Sequence, residues 1–189
     1  MPPAVFLDRD GTLIHDVGYL SRLDQVTIYP WTIEALRLLA REGFTLVIVT
    51  NQAGVARGYF DEAFVQETHR HLSDRFAAGG ARVGGFYYCP HFPDATVEAY
   101  RRDCECRKPK PGLVRQAARE LGLALDRSFV VGDKWADIEM AQAVGARGVL
   151  VRTGYGAAEA ARPRDDLRNV KIADNLMEAA AWIIREHRR

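Results

Sequence analysis

The chain of 189 residues carries 26 basic and 25 acidic side chains, so its formal net charge is only +1. This balance disfavours nucleic acid or an anionic membrane surface as a partner, because both attract proteins with a strong positive field. No apolar run approaches the ~20 residues that span a bilayer, and residues 1–3 do not begin a secretory leader. We therefore expect a single domain over residues 1–189, cytoplasmic and monomeric, large enough to bury its own core.

The first predicted element is a buried strand, the apolar run Ala4–Leu7, which ends at two aspartates and a glycine. Ligands of open α/β sheets bind just beyond the carboxyl ends of such strands, so Asp8 and Asp10 lie where chemistry is expected. Side chains alternate along a strand, which puts both carboxylates on one face, about 7 Å apart along the backbone. Carboxylates 4 Å apart repel by roughly 4 kcal/mol at an effective dielectric near 20, and a bound Mg²⁺ removes that repulsion. The alternative interpretation is that Asp8 and Asp10 cap a helix or lie in a solvated turn.

Apolar strands and amphipathic helices then alternate along the chain. The pattern predicts further strands over 44–49, 84–88, 128–131 and 148–152, and helices over 30–43, 61–78, 110–121, up to 144 and over 175–185. Such alternation indicates an α/β fold, a Rossmann-like three-layer architecture with a parallel sheet and helices on both faces. The loop after the first strand is too short for a cap domain.

Two histidines, His69 and His71, fall in the helix predicted over 61–78. Residues two apart do not share a face of a helix, so a joint metal site is not expected. We predict that both side chains lie on the surface.

Polar residues converge at one edge of the predicted sheet, because the carboxyl ends of parallel strands meet there. Thr50 and Asn51 end the second strand, Lys108 follows the cysteines, and Asp133 and Asp137 follow the fourth strand. A phosphate dianion needs donors for its oxygens, and a threonine, an asparagine and a lysine supply them. Asp133 completes a cation site with the first aspartates, whereas Asp137 is expected to support that site from behind or to pair along its helix.

These motifs in this order, DxDGT, a strand-terminal Thr, Lys and GDxxxD, resemble the haloacid-dehalogenase-like (HAD) phosphohydrolases over most of the chain. The resemblance implies a Mg²⁺-dependent phosphomonoesterase in which Asp8 attacks phosphorus and forms an aspartyl-phosphate. Asp10 would act as general acid and then general base, while Thr50 and Lys108 stabilise the transferring group. Mg²⁺ would be held by Asp8, by the backbone carbonyl of Asp10 and by Asp133.

All three cysteines lie between positions 89 and 106, and an odd set cannot pair off in disulfides. With a histidine they form the patterns C-x-H and C-x-C, which supply three thiolates and one imidazole. Structural Zn²⁺ sites take such sets in tetrahedral geometry, so we predict that zinc pins the loop 89–106. The alternative is three unrelated buried thiols. The predicted zinc ligands are Cys89, His91, Cys104 and Cys106.

Within the HAD superfamily, a cysteine loop followed by Arg-Lys-Pro resembles that of one branch. This branch contains the heptose 1,7-bisphosphate 7-phosphatases and the histidinol-phosphatases. The segments 16–19 and 50–58 resemble the heptose enzymes. The resemblance therefore implies removal of the 7-phosphate from a small-molecule sugar bisphosphate, in the synthesis of lipopolysaccharide precursors. An arginine can hold the second phosphate in a bidentate fork. The substrate-binding residues implied are Asp16, Gly18, Tyr19, Asn51, Gln52, Ala53, Arg107 and Lys134.

Two other functions stay open at the level of the sequence. Histidinol-phosphate hydrolysis uses the same chemistry on another leaving group. A zinc module that binds nucleic acid could carry an inactive phosphatase core, although the balanced charge and the intact aspartates and lysine disfavour it. The preferred anomer of the sugar, α or β, is also left open.

Overall fold

A parallel sheet of six strands forms the centre of the computed structural model, which describes residues 1–162 and 164–189. The strands are β1 (Ala4–Leu7), β2 (Thr45–Asn51), β3 (Gly85–Cys89), β4 (Phe129–Gly132), β5 (Arg147–Val151) and β6 (Lys171–Ala173). They are arranged in the order β3-β2-β1-β4-β5-β6, and all pairings are parallel. The direction of strand addition reverses between β1 and β4, which makes the carboxyl end of β1 a topological switch point.

The central strands are apolar on both faces. All four residues of β1 are buried, and β4 is buried along its whole length. The register aligns Leu7 with Ile48 of β2 and Val131 of β4, so the polar residues that follow these strands start at one level. Continuous apolar runs are typical of parallel strands covered on both sides, and the predicted parallel α/β sheet is confirmed.

Helices pack on both faces of the sheet and complete the three predicted layers. The helices are α1 (Thr32–Arg41), α2 (Ala53–Ala56), α3 (Glu62–Ala78), α4 (Gly112–Leu121), α5 (Trp135–Gln142), α6 (Gly156–Ala160) and α7 (Leu176–His187). Val5 and Leu7 of β1 belong to a core shared with α1, α3 and α7. Ala4 and Phe6 point the other way, into a core shared with α4 and α5.

Polar caps fix the ends of several helices close to where the sequence predicts them. The Asp61 carboxylate accepts a hydrogen bond from the amide of Phe64 and caps α3. The Asn175 side chain accepts from two amides in the first turn of α7. Gly122 ends α4 in the left-handed conformation, at φ 64°, which glycine adopts without the steric cost of a Cβ.

Four features differ from the prediction. The sequence analysis missed β6, α2 and α6, which have only three, four and five residues and therefore show no clear period. The prediction that His69 lies on the surface was wrong, because its side chain is only 6% exposed and its ring stacks on Phe86. His69 follows Val65 by four residues and precedes Leu72 by three, so it shares the inward face of α3 with them.

The segments between β1 and α1 and between β2 and α3 contain only loops, a 3₁₀ turn and α2. Neither carries a folded cap over the edge of the sheet, in agreement with the sequence. Across the described residues, none of the helices has the length and apolar character needed to cross a membrane.

Candidate active site

Three aspartates meet at the carboxyl end of the sheet and are called the carboxylate cluster here. Asp8 follows β1, Asp133 follows β4, and Asp137 lies in the first turn of α5. All three are buried, and one carboxylate oxygen of each lies within 4.8 Å of those of the other two. The sequence analysis expected Asp137 to support the site from behind or to pair along its helix, and the structure places its carboxylate beside those of Asp8 and Asp133.

The ammonium group of Lys108 balances part of this negative charge. Its Nζ donates to Asp8 Oδ1 and to Asp137 Oδ1, each at 2.7 Å, and to the carbonyl of Val49 at 3.1 Å. The residue is only 7% exposed, so water screens these charges little. Breaking such a buried pair by removing one partner costs about 3–5 kcal/mol.

Burial, and after it the charges of the neighbouring aspartates, raises the pKa values of Asp8 and Asp133. Burial raises the pKa of Asp8 to about 6, with Lys108 opposing the shift and Asp137 adding to it. Burial, followed by the charge of Asp8, raises the pKa of Asp133 to about 8. Burial alone would lower the pKa of Lys108, but the charges of Asp137 and Asp8 raise it above its ordinary value. A further cation is therefore favoured near Asp8 and Asp133.

The surroundings of Asp133 fit a divalent metal ion. Its Oδ2 accepts a hydrogen bond from the amide of Tyr155 at 2.8 Å, whereas its buried Oδ1 has no hydrogen-bond partner among the described residues. A Cβ on Gly11 or on Gly154 would lie 2.2 or 2.3 Å from Oδ2, so only glycines let the chain close around this carboxylate. A buried carboxylate oxygen without a hydrogen-bond partner, on a residue close to two other carboxylates, is suited to Mg²⁺.

Asp10 does not join the carboxylate cluster. Its carboxylate accepts from Nε and Nη2 of Arg9, at 3.1 and 3.0 Å, and from Nε2 of Gln52 at 3.0 Å. Nε2 of Gln52 also donates to Oγ1 of Thr50, at 2.9 Å. The sequence analysis did not single out Arg9. The signal that could have found it is its position, because an arginine between two aspartates at the end of a buried strand is itself expected to be buried.

Asn51 makes a contact with Lys108 that the sequence analysis did not predict. Its Oδ1 accepts from the amide of Lys108 at 3.0 Å, and its Nδ2 donates to the carbonyl of Lys108 at 3.2 Å. The side chain therefore holds the backbone of Lys108 and fixes the point from which the lysine reaches Asp8. Asn51 also lines the cleft, so the prediction that it binds substrate stays open.

A cleft opens from the aspartates to the surface in two parts. The inner part, of about 60 Å³, is lined by Asp8, Asp10, Thr50 and Lys108 together with neighbouring residues. The outer part, of about 400 Å³, is lined by all eight residues predicted to bind substrate. Those eight are Asp16, Gly18, Tyr19, Asn51, Gln52, Ala53, Arg107 and Lys134.

Besides Lys108 and the buried Arg9, two cations line the outer cleft. Nζ of Lys134 lies 4.4 Å from the ring centre of Tyr155 and 4.0 Å from Asp16 Oδ2. The guanidinium of Arg107 lies 4.8 Å from the ring centre of Phe92, and its Nη1 donates to the carbonyl of His91 at 3.2 Å. Both contacts orient the cations and leave them donors for an anion. Tyr155 also lines the cleft, although the sequence analysis assigned it no role in the site.

A second cluster, called the thiol cluster here, contains the four residues predicted to bind zinc. The sulfur of Cys89 lies 3.4 Å from that of Cys104 and 3.0 Å from that of Cys106. Nδ1 of His91 lies 3.3 Å from the Cys106 sulfur. All four ligand atoms lie within 4.8 Å of one another, as the ligands of one tetrahedral ion must. The structure thus brings these residues together, and the cluster could hold zinc.

The fold and the site define a phosphatase of the HAD class, a phosphoric monoester hydrolase. A family model described as HAD-hydrolase-like matches residues 105–179. The structure of a D,D-heptose 1,7-bisphosphate phosphatase from B. bronchiseptica, complexed with magnesium and phosphate, superimposes with a TM-score of 0.87 at 31% identity. That comparison covers 97% of this chain and 99% of the other. HAD phosphatases use Mg²⁺, in keeping with the ion in that structure.

Curated relatives narrow the class to a family. A D-glycero-beta-D-manno-heptose-1,7-bisphosphate 7-phosphatase of Photorhabdus laumondii is 46% identical over 154 residues, covering 80% of this chain and 81% of the relative. The protein of that name from Pasteurella multocida is 42% identical over 175 residues, covering 92% and 95%. The chain belongs to this heptose bisphosphate phosphatase family. The names favour the heptose branch over the histidinol-phosphatase branch that the sequence left open.

Proposed function

We propose that the protein hydrolyses the 7-phosphate of D-glycero-β-D-manno-heptose 1,7-bisphosphate, in the synthesis of nucleotide-activated heptose for lipopolysaccharide. The observation that carries this proposal is the buried carboxylate cluster with Lys108, at the base of a cleft whose outer part holds two further cations. The names of the relatives support the β anomer. We further propose that residues 1–189 act as one phosphatase domain.

In the first step, a carboxylate oxygen of Asp8 attacks phosphorus and the bond from phosphorus to the sugar oxygen breaks. Asp10 gives its proton to that oxygen, so the sugar leaves as an alcohol. Lys108 and Thr50 flank the inner cleft and donate to the oxygens of the transferring group. The product is an aspartyl-phosphate on Asp8, with Asp10 left as a carboxylate.

In the second step, water attacks the same phosphorus and Asp10 takes a proton from that water. The bond from phosphorus to Asp8 breaks, which releases phosphate and restores both aspartates to their starting forms. A mixed anhydride of aspartate is open to water at the same centre. Turnover therefore needs no second nucleophile from the protein.

Mg²⁺ would be held by Asp8, by the backbone carbonyl of Asp10 and by Asp133. The partnerless Oδ1 of Asp133 supports this assignment. When bound, the ion supplies positive charge against the phosphate and the carboxylates. Asp137 keeps Lys108 directed at Asp8 through its 2.7 Å contact.

Zn²⁺ in the thiol cluster would have a structural role. The cluster ends two residues before Lys108, and the carbonyl of His91 orients Arg107. We propose that Arg107 and Lys134 bind the phosphate that is not cleaved, because both reach the outer cleft and a bisphosphate needs more cations than one lysine. The cytoplasmic location and the monomeric state stay predictions.

The test compares kcat/KM on the β and α anomers of the heptose bisphosphate and on histidinol phosphate. We expect the β anomer to be hydrolysed fastest, with phosphate released from position 7 and the 1-phosphate retained. Faster hydrolysis of histidinol phosphate would contradict the proposed substrate. A preference for the α anomer would keep the chemistry and change the product.

A further inference from the structure

Arg9 is a buried charge that the proposed mechanism does not use. Its side chain is only 2% exposed, although it lies between the two aspartates that carry the chemistry. A buried guanidinium is costly unless its donors are paired. The partners of Arg9 therefore indicate what holds it in this place.

Three neighbours occupy the guanidinium. Nε and Nη2 donate to the two oxygens of Asp10 at 3.1 and 3.0 Å, the fork by which arginine binds a carboxylate. Nη2 also donates to Oε1 of Gln52 at 3.1 Å, and Gln52 in turn donates to Asp10 Oδ2 at 3.0 Å. The Asp10 carboxylate is thus gripped from two sides by groups that also bind each other.

The remaining nitrogen, Nη1, lies 3.4 Å from Nε2 of His69. His69 is 6% exposed and stacks on Phe86, with ring centres 4.8 Å apart. Burial and the nearby charge of Arg9 lower the pKa of His69 to about 3, so the ring is neutral and its Nε2 can accept from Arg9. His69 therefore fixes the end of the guanidinium that points away from Asp10.

We propose that Arg9 and His69 are positioning residues that hold the carboxylate of Asp10 in one orientation for proton transfer to the leaving group and from water. This inference rests on the proposed role of Asp10 and extends it to Arg9 and His69, whose side chains are buried and pair with Asp10 directly or through each other. Proton transfer needs hydrogen-bond reach to the reacting oxygen in both steps, and the Asp10 side chain is partly exposed, at 19%. A guanidinium held by His69 behind the Asp10 carboxylate restricts the Asp10 side chain to one rotamer.

The test is a double-mutant cycle between Arg9 and Asp10, read as kcat and KM for phosphate release. Arg9→Met removes the fork and keeps an unbranched chain of similar length. If Arg9 acts through Asp10, we expect Arg9→Met alone to lower kcat by about 100-fold, with KM nearly unchanged. Added to Asp10→Asn, the same change should have almost no further effect.

A second pair of variants keeps the test valid if Arg9→Met does not fold. His69→Phe keeps a flat ring to stack on Phe86 and removes the nitrogen that accepts from Arg9. We expect this change to lower kcat about tenfold when made in the parental protein, and not to lower it further when made in the Asp10→Asn variant. His69→Gln offers an amide oxygen to Arg9 and should recover most of the rate. His71→Phe, two residues along the same helix, is the control and should change neither constant.

Three outcomes would overturn the inference. Additive losses in the cycle would show that Arg9 acts elsewhere, and a rise in KM for the bisphosphate would make it a substrate ligand. Unchanged kcat in both Arg9→Met and His69→Phe would remove the positioning role. If instead Asp10→Asn itself retains the parental kcat, the proposed function of Asp10 fails, whatever the behaviour of Arg9.

Discussion

The carboxylate cluster and the thiol cluster are both candidate sets of metal ligands, but the fold builds them differently. Asp8 and Asp133 follow the two central strands, and both are buried. In the thiol cluster only Cys89 belongs to a strand, β3 at the edge of the sheet. The other three ligands lie on the segment 90–106, whose regular structure is one 3₁₀ turn. The sheet positions the first cluster, whereas the second cluster positions its own loop.

This difference has a consequence for what each metal contributes. Lys108 already neutralises part of the carboxylate cluster, so the central strands have a compensating charge before any ion binds. The loop of the thiol cluster is tied to helices by single hydrogen bonds, from the amide of Val97 to the carbonyl of Ala56 and from the hydroxyl of Tyr100 to Glu62. We therefore expect changes in the carboxylate cluster to alter chemistry, and changes in the thiol cluster to alter the position of the loop.

The largest expected effect is that of Asp8→Asn, which removes the nucleophile with almost no change of shape. Turnover should fall by about 10⁴-fold or more. The melting temperature should change little, because Lys108 keeps its ion pair with Asp137 and the protein no longer buries the charge of Asp8, whose pKa burial raises. Phosphate release and thermal unfolding measure the two effects. Asp103→Asn, at an exposed carboxylate of the zinc loop, is the control. Parental turnover in Asp8→Asn would refute the assignment of the nucleophile.

Lys108→Met tests the charge balance of the carboxylate cluster. It leaves Asp8 and Asp137 buried without their cation, and we expect the free energy of unfolding to fall by about 3–5 kcal/mol. Adding Asp137→Asn should restore part of that loss. Lys110→Met is the matched control, because Lys110 makes its ion pair with Asp103 on the surface, and we expect little change. Equal losses at both lysines, by denaturant unfolding, would contradict the buried-pair argument.

Removal of zinc tests the other side of the comparison. In Cys104→Ala, or after chelation, we expect KM for the bisphosphate to rise about tenfold, about 1.4 kcal/mol in binding, because Arg107 loses its support from the loop. We expect kcat to change less than KM, since Asp8 and Asp133 directly follow strands and Asn51 holds the backbone of Lys108 from β2. Glu105→Gln, between two of the cysteines, is the control for a change in the loop that spares the ligands. A metal-free protein with parental KM and stability would remove the structural role of zinc.

The smallest expected effect is a dependence of stability on pH and Mg²⁺. Asp8 and Asp133 have folded pKa values raised to about 6 and about 8, above the unfolded value near 4. The folded protein therefore binds these protons more tightly, and the resulting stability is complete below about pH 4 and is lost as the pH rises through 6 and 8. Without metal, the melting temperature should fall between pH 5 and about 8.5. Mg²⁺ should raise it more at the higher pH.

Asp133→Asn is the control for this pH effect. Because this variant lacks the carboxyl with the higher pKa, its melting temperature should fall less between about pH 6 and pH 8.5. The Mg²⁺ increment should also shrink, since one proposed ligand is lost. A Mg²⁺ increment that is equal at pH 5 and at pH 8.5 would argue against metal binding at these carboxylates.

The fold was predictable where burial leaves a strong local pattern. The predicted bounds of the first five strands agree with the structure to within two residues, because a strand covered on both faces must be apolar throughout. The strand β6 was missed since its three residues, Lys171–Ala173, form an edge strand and give no apolar run. His69 was misjudged for another reason: its type is polar, but its spacing from Val65 and Leu72 puts it on the inward face of α3.

The identity and order of the reactive groups were already determined by the sequence. Parallel strands end at one edge of a sheet, so the aspartates after β1 and β4 had to meet there, and cysteines at C-x-H and C-x-C spacing had to share a loop. Only the tertiary structure decided that Asp137 binds Lys108, that Asn51 holds the backbone of that lysine, and that Arg9 reaches His69. These contacts join residues 29, 57 and 60 positions apart. They depend on side-chain rotamers and on the packing of helices against the sheet, which no local period in the sequence encodes.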